Sequence, residues 1–92
     1  MPRVKKLATL IHPKSILSPS AVIGNGCIIE AGAVIMTDVR IGDCCIIMAN
    51  SVVGHNAKVG NYCKLKYNCT IAENSVVPDK SNVLFNEVFK AD

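Results

Sequence analysis

Two histidines, His12 and His55, are the side chains of this 92-residue sequence that titrate nearest neutral pH, which suits them to proton transfer. Five cysteines, Cys27, Cys44, Cys45, Cys63 and Cys69, could serve thiol, disulfide or metal chemistry. Spacing sorts these candidates. Cys27, Cys45 and Cys63 lie 18 residues apart, and Thr37, His55 and Glu73 follow the same interval. Asp38 precedes Asn56 by that interval too, so a carboxylate accompanies His55 on either side of its own position. His12 stands 43 residues before His55, which is not a multiple of 18. An interval shared by unrelated residue types belongs to the architecture of the chain, and the architecture decides which of these groups can meet.

That architecture is a period of six. One aliphatic position returns without a gap at Ile11, Leu17, Ile23, Ile29, Ile35, Ile41, Ile47, Val53, Val59, Leu65, Ile71, Val77 and Val83. Neither the helical period nor strand alternation requires such a pattern, so it is a structural repeat. Four places after each aliphatic comes a small residue, among them Ala21, Cys27, Ala33, Cys45, Ser51, Ala57, Cys63 and Cys69, and Gly24, Gly42, Gly54 and Gly60 directly follow aliphatics. A large and a small inward residue with a glycine at the bend describe one short side of a coiled prism. Three sides close a turn of 18 residues, which predicts an all-β parallel β-helix of hexapeptides.

The coil settles most of the cysteines. Cys27, Cys45, Cys63 and Cys69 fall in the inward small column and read as core filler, stacked at roughly the 4.8 Å inter-strand spacing. Cys44, one place outside the column, is the expected accessible thiol. A close-packed column leaves no room for diverging metal ligands, so no metal is expected. A net charge of +3 without an arginine-rich arm argues against nucleic acid. No apolar run reaches membrane-spanning length and no signal peptide precedes the repeat, so the expectation is a soluble cytoplasmic protein without membrane contact. The aromatics, Tyr62, Tyr67, Phe85 and Phe89, all avoid the first coils.

Along the chain, residues 1–10 form an N-terminal arm, residues 11–82 a β-helix of about four coils, and residues 83–92 a C-terminal cap. The cap is expected because Val83, Leu84, Phe85, Val88 and Phe89 are bulky and Glu87 stands in a small-residue place. It would cover an open strand edge. Asn25, Asp43, Asn61 and Asp79 share one line and read as turn residues that tolerate left-handed backbone.

Leu10-Ile11-His12-Pro13, Ile41-Gly42-Asp43 and Ser51-Val52-Val53-Gly54-His55 carry a resemblance over residues 10 to about 77. The sequence resembles the left-handed β-helix acyltransferases, and more closely the sugar acetyltransferases of the sialic-acid O-acetyltransferase type, a group that includes nucleotide-amino-sugar N-acetyltransferases. The resemblance implies a left-handed coil, against the usual crossover preference. It also implies a homotrimer with acetyl-CoA as co-substrate in the groove between neighbouring β-helices. The acceptor would be a hydroxyl or amine of a small molecule, such as a nucleotide-linked sugar. His55 matches the family's general base, whereas His12, on another side of the coil, reads as a structural residue. Relatives place an acid directly after that histidine; here it is Asn56, which leaves Glu73, or Asp38, to orient the imidazole. Lys58, Lys64 and Lys66 follow His55 in the direction the family's cofactor runs and suit its phosphates. Full members also carry a nucleotide-sugar-binding domain before the helix and further coils after it.

Other functions compete with transfer. A non-catalytic trimer-forming module or shortened paralogue is the alternative. Trimerisation is expected in either case, since flat faces would expose apolar residues such as Met36 and Met48. The β-helix carbonic anhydrases need three histidines for zinc, and ice binding needs outward ranks of threonine; two histidines and three threonines supply neither.

Overall fold

The computed structural model describes residues 7–91. These residues wind into a prism with three parallel faces, and among them are fourteen two-residue strands set six residues apart. The first face stacks β1 (Leu10–Ile11), β4 (Ile28–Ile29), β7 (Ile46–Ile47), β10 (Lys64–Leu65) and β13 (Asn82–Val83). The second stacks β2 (Ile16–Leu17), β5 (Val34–Ile35), β8 (Val52–Val53), β11 (Thr70–Ile71) and β14 (Val88–Phe89). The third stacks β3 (Val22–Ile23), β6 (Arg40–Ile41), β9 (Lys58–Val59) and β12 (Val76–Val77). Each strand pairs with the strand 18 residues away, Ile28 with Ile46 and Val34 with Val52, so every rung repeats the one below. The fold is the expected left-handed β-helix of about four turns, with no α-helix among the described residues. No helix among the described residues is long and apolar enough to cross a membrane.

From β4 to β13 the second residue of each strand is buried inside the prism. Ile29, Ile35, Ile47, Val53, Leu65, Ile71, Val77 and Val83 are all at most 1% exposed, and Cys27, Ala33, Cys45, Ala57, Cys63 and Cys69 fill the gaps between them. β-branched residues suit these columns because their stiff side chains stack on copies of themselves.

Every corner from Gly26 to Asn86 ends on a residue with φ between 57° and 75°. Asparagine supplies five of these residues (Asn50, Asn56, Asn68, Asn74 and Asn86), as expected from its tolerance of left-handed backbone. On the corner between the third and first faces, however, the left-handed residues are Gly26, Cys44, Tyr62 and Lys80. Asn25, Asp43, Asn61 and Asp79 sit one place earlier and do different work. The Oδ1 atoms of Asp43, Asn61 and Asp79 accept the backbone N–H groups of Asn25, Asp43 and Asn61, at 2.8, 2.8 and 2.7 Å. The preceding glycines make this possible, since a Cβ on Gly24, Gly42 or Gly60 would overlap the oxygen arriving from the next coil.

The coil also runs further than the composition predicts. β13 and β14 pair in register with β10 and β11, so Val83 to Phe89 extend the prism and do not fold over its end. Glu87 is tolerated in the small-residue column because it is exposed there, and its Oε1 accepts the Leu84 N–H at 2.7 Å. Part of the N-terminal arm belongs to the coil as well. Leu10 is already in β1, and Thr9 Oγ1 donates to the Gly24 carbonyl at 2.6 Å, in the place the cysteines take above it. Residues 1–6 of that arm and residue 92 of the expected cap lie outside the described residues.

Candidate functional site

His55 is the middle residue of a three-residue corner, 54–56, that joins β8 to β9 between the second and third faces. Gly54 is buried against the coil above; a Cβ there would come within 2.8 Å of the Glu73 nitrogen and 2.9 Å of the Ile71 carbonyl oxygen. That close approach lets the corner turn tightly and present His55 to solvent, where it is exposed. Hydrogen bonds clamp the corner from both sides. Asn56 N–H donates to the Thr37 carbonyl at 2.8 Å, and Asn74 N–H donates to the His55 carbonyl at 2.9 Å. Asn56 Nδ2 donates to Asn74 Oδ1 at 2.9 Å, which ties the two corners together through their side chains.

Thr37, His55 and Glu73 therefore occupy the middle positions of three stacked corners, as the 18-residue interval predicts. Glu73 is exposed beside His55 on the next rung, and the His55 ring makes no hydrogen bond among the described residues. Asp38 takes the left-handed end of its corner, with φ 59°, and its N–H donates to Ser20 Oγ at 2.9 Å. Asn74 had no part in the sequence reading. Its signal was the interval that places it above Asn56.

The three lysines are distributed around the prism. Lys58 points outward from β9 on the face that begins at the His55 corner, and is exposed. Lys64 points outward from β10 on the first face. Lys66 opens the corner between the first and second faces, with its Nζ 6.0 Å from the centre of the Phe85 ring. Within one chain, only Lys58 shares an edge with His55.

His12 closes its own turn. Its Nδ1 accepts the Lys14 N–H at 3.0 Å, and its carbonyl accepts the Ser15 N–H and hydroxyl at 2.9 and 2.6 Å. It borders a shallow depression of about 550 Å³ with Leu10, Ile28 and Glu30, on the first face and its neighbouring corner, away from His55.

Cys27, Cys45, Cys63 and Cys69 are free and buried, and Cys44 is half-buried. The thiols of Cys27, Cys45 and Cys63 donate upward to the carbonyls of Gly42, Gly60 and Pro78 at 3.1, 3.0 and 3.1 Å. Burial, reinforced by the neighbouring thiols Cys27 and Cys63, pushes Cys45 up to about 12. Burial also raises Cys69. Thiols held this firmly in the neutral form are poor nucleophiles and poor metal ligands. The column is structural.

The described residues thus form a left-handed hexapeptide coil with His55 outward on a clamped corner. The chain belongs to the family described as the GMPPB C-terminal domain, which matches residues 4–89. Among solved structures it is similar to the acetyltransferase domain of PglB from Neisseria gonorrhoeae, with 20% identity over 89% of this chain and 52% of that one, and a TM-score of 0.64. It is also similar to PerB from Caulobacter crescentus in complex with CoA and GDP-perosamine, with 25% identity over 90% of this chain and 52% of that one, and a TM-score of 0.50. The chain thus spans about half the length of the solved structures it matches. No curated protein sequence matches it.

Proposed function

We propose that this chain acts as the β-helix part of an acetyl-CoA-dependent acyltransferase that acetylates a hydroxyl or amine of a sugar, with His55 as general base. The observation that carries this reading is the likeness, over 90% of the chain, to a β-helix protein whose complex holds CoA and a nucleotide-linked sugar. In the proposed reaction the neutral His55 imidazole takes the proton of the acceptor as its oxygen or nitrogen attacks the thioester carbonyl. The carbon–sulfur bond then breaks and CoA leaves as the thiol. Glu73, one rung above, is the proposed partner for the far ring nitrogen.

The proposed assembly is a cytoplasmic homotrimer with CoA in the groove between protomers. Such a groove reconciles the lysines with His55: Lys58 would come from the protomer carrying the histidine, and Lys64 and Lys66 from its neighbour. Met36 does not support the trimer in the expected way, since it is half-buried against the core. Better support comes from the outward residues of the second face, Ile16, Val34, Val52, Thr70 and Val88, which carry no charge.

Acetyl-CoA turnover against a panel of amino sugars and their nucleotide-linked forms tests the reading. Wild type is expected to acetylate at least one of them, and His55→Ala to lose roughly 10²–10⁴-fold, as for a positioned base. No turnover by wild type, or equal turnover by the variant, would leave the chain as a non-catalytic assembly module.

A further inference from the structure

The depression beside His12 has the make-up of a small-molecule site. Its volume of about 550 Å³ falls within the range of ligand clefts. The floor is aliphatic: Leu10 and Ile28 pair in register and are both exposed, with Ala31 and Ala49 on the corner beside them. Glu30 and His12 add polar groups to the lining. Glu30 is half-buried, and its Oε1 accepts the Ala49 N–H at 3.1 Å, which holds the carboxylate across the corner. Its other oxygen has no hydrogen bond among the described residues. His12 Nδ1 accepts the Lys14 N–H at 3.0 Å, so the neutral ring carries its proton on Nε2 and keeps a donor to spare. A fixed acceptor and a donor beside an aliphatic floor suit a ring with one apolar face and hydroxyls round its edge. That ligand is a sugar.

Within one chain, the depression and His55 lie at opposite edges of the second face. Rotational symmetry joins such edges. The outward residues of the second face carry no charge, whereas the first face carries Lys64 and the third Arg40 and Lys58. With the uncharged face turned toward a threefold axis, the corners at its two edges point at neighbours. Rotation then sets the depression-bearing corner of each protomer against the His55 corner of the next. An axis parallel to the coil preserves height. Ala49 precedes His55 by six residues, a third of a coil, which puts the imidazole roughly 1.6 Å above the top of the depression. Lys64 and Lys66 lie above that level, and Leu10 and Ile28 below it. We infer that the depression binds the sugar acceptor and presents it to His55 of the partner subunit, with CoA on the lysine side above. The inference rests on the acetyl-transfer reading and gives the site a direction: acceptor on the N-terminal side of the histidine, cofactor on the C-terminal side.

Two measurements on the full chain test this without relying on turnover. The first is an NMR titration with CoA present, using glucosamine and GDP-perosamine, the nucleotide-linked sugar held by PerB. At least one should shift the Leu10 and Ile28 methyl signals in a saturable way, and guanosine diphosphate alone should not. Glu30→Gln keeps an oxygen for the Ala49 N–H and turns the free acceptor into a donor. It should weaken the tighter sugar roughly 10- to 150-fold, the range for a hydrogen bond to a charged group. Ile28→Trp, which fills the depression from an exposed position, should abolish the Leu10 shift. If no sugar moves the methyls, if guanosine diphosphate alone moves them, or if both variants bind as wild type does, the depression is not a sugar site. The second measurement is cross-linking with a short bismaleimide in a Cys44→Ser background. Ala49→Cys combined with His55→Cys should be joined into dimers and trimers, and neither single variant should. A double variant that runs as monomer on a denaturing gel, or single variants that cross-link equally, would overturn the shared site. Sugar binding and cross-linking without acetyl transfer would remove the acetyl-transfer reading and leave the sugar site. Turnover without the methyl shifts would do the reverse.

Discussion

A methyl group on Gly54 would press on the nitrogen of Glu73, and the rung that resists it is the one bearing the proposed partner of His55. Gly54→Ala should therefore cost about 1–3 kcal/mol of stability and depress turnover by more than its loss of folded protein explains. Thermal melts beside turnover per folded molecule separate the two effects. Glu73→Gln should reduce kcat less than His55→Ala, because it removes the proposed orienting partner and leaves the base in place. An unchanged kcat would rule Glu73 out. The thiols give a prediction in pH. Cys45 is raised by burial to about 12, so the folded state keeps its proton after an unfolded thiol has lost it. Its contribution is complete below the ordinary thiol range and lost progressively as pH climbs toward 12. Melting temperatures should fall over that alkaline window, and Cys45→Ala should soften the fall. At pH 8, iodoacetamide should label Cys44 and spare Cys27, Cys45, Cys63 and Cys69.

The corners are the elements that set the coil. Removing one rung of the side-chain ladder, as in Asn61→Ala, leaves the Asp43 N–H without its acceptor and should cost about 1 kcal/mol. Gly42→Ala should cost more, since it obstructs the same oxygen while leaving it in place. Chemical denaturation of both variants ranks them, and equal stability of Gly42→Ala and wild type would show that the ladder yields freely. How much of this was legible follows from what repeats. The aliphatic column, the buried thiols and the stacking of Thr37, His55 and Glu73 all follow from counting in sixes and eighteens. The work of Asp43 and Asn61 does not, because a residue that accepts a bond from another coil and a residue that adopts left-handed backbone have the same composition. Glu87 misled for a related reason: a size rule that holds between two coils lapses where the side chain faces solvent.

For the whole molecule, the strands at the C-terminal end are part of the core, not a lid upon it. Deleting residues 82–92 removes β13 and β14 and uncovers Leu65 and Ile71, both now fully buried. The truncated chain should melt more than about 5 °C lower, the shift that roughly 1 kcal/mol produces in a domain of this size. Equal melting would mean that the last coil is dispensable. Light scattering at micromolar concentration should give three times the 9.8 kDa chain mass, and Val34→Lys with Val52→Lys, both outward on the second face, should return it to one.

The interval of 18 residues also makes the chain a screw with three stopping points per turn. Eighteen residues inserted between Leu17 and His55 would lift the histidine one thread and leave its compass bearing unchanged relative to Leu10. Six would satisfy the same core, yet swing it a third of the way round, away from whatever it faces on a neighbour. Length changes in whole threads should thus be neutral in direction, and those in thirds should fold and misaim.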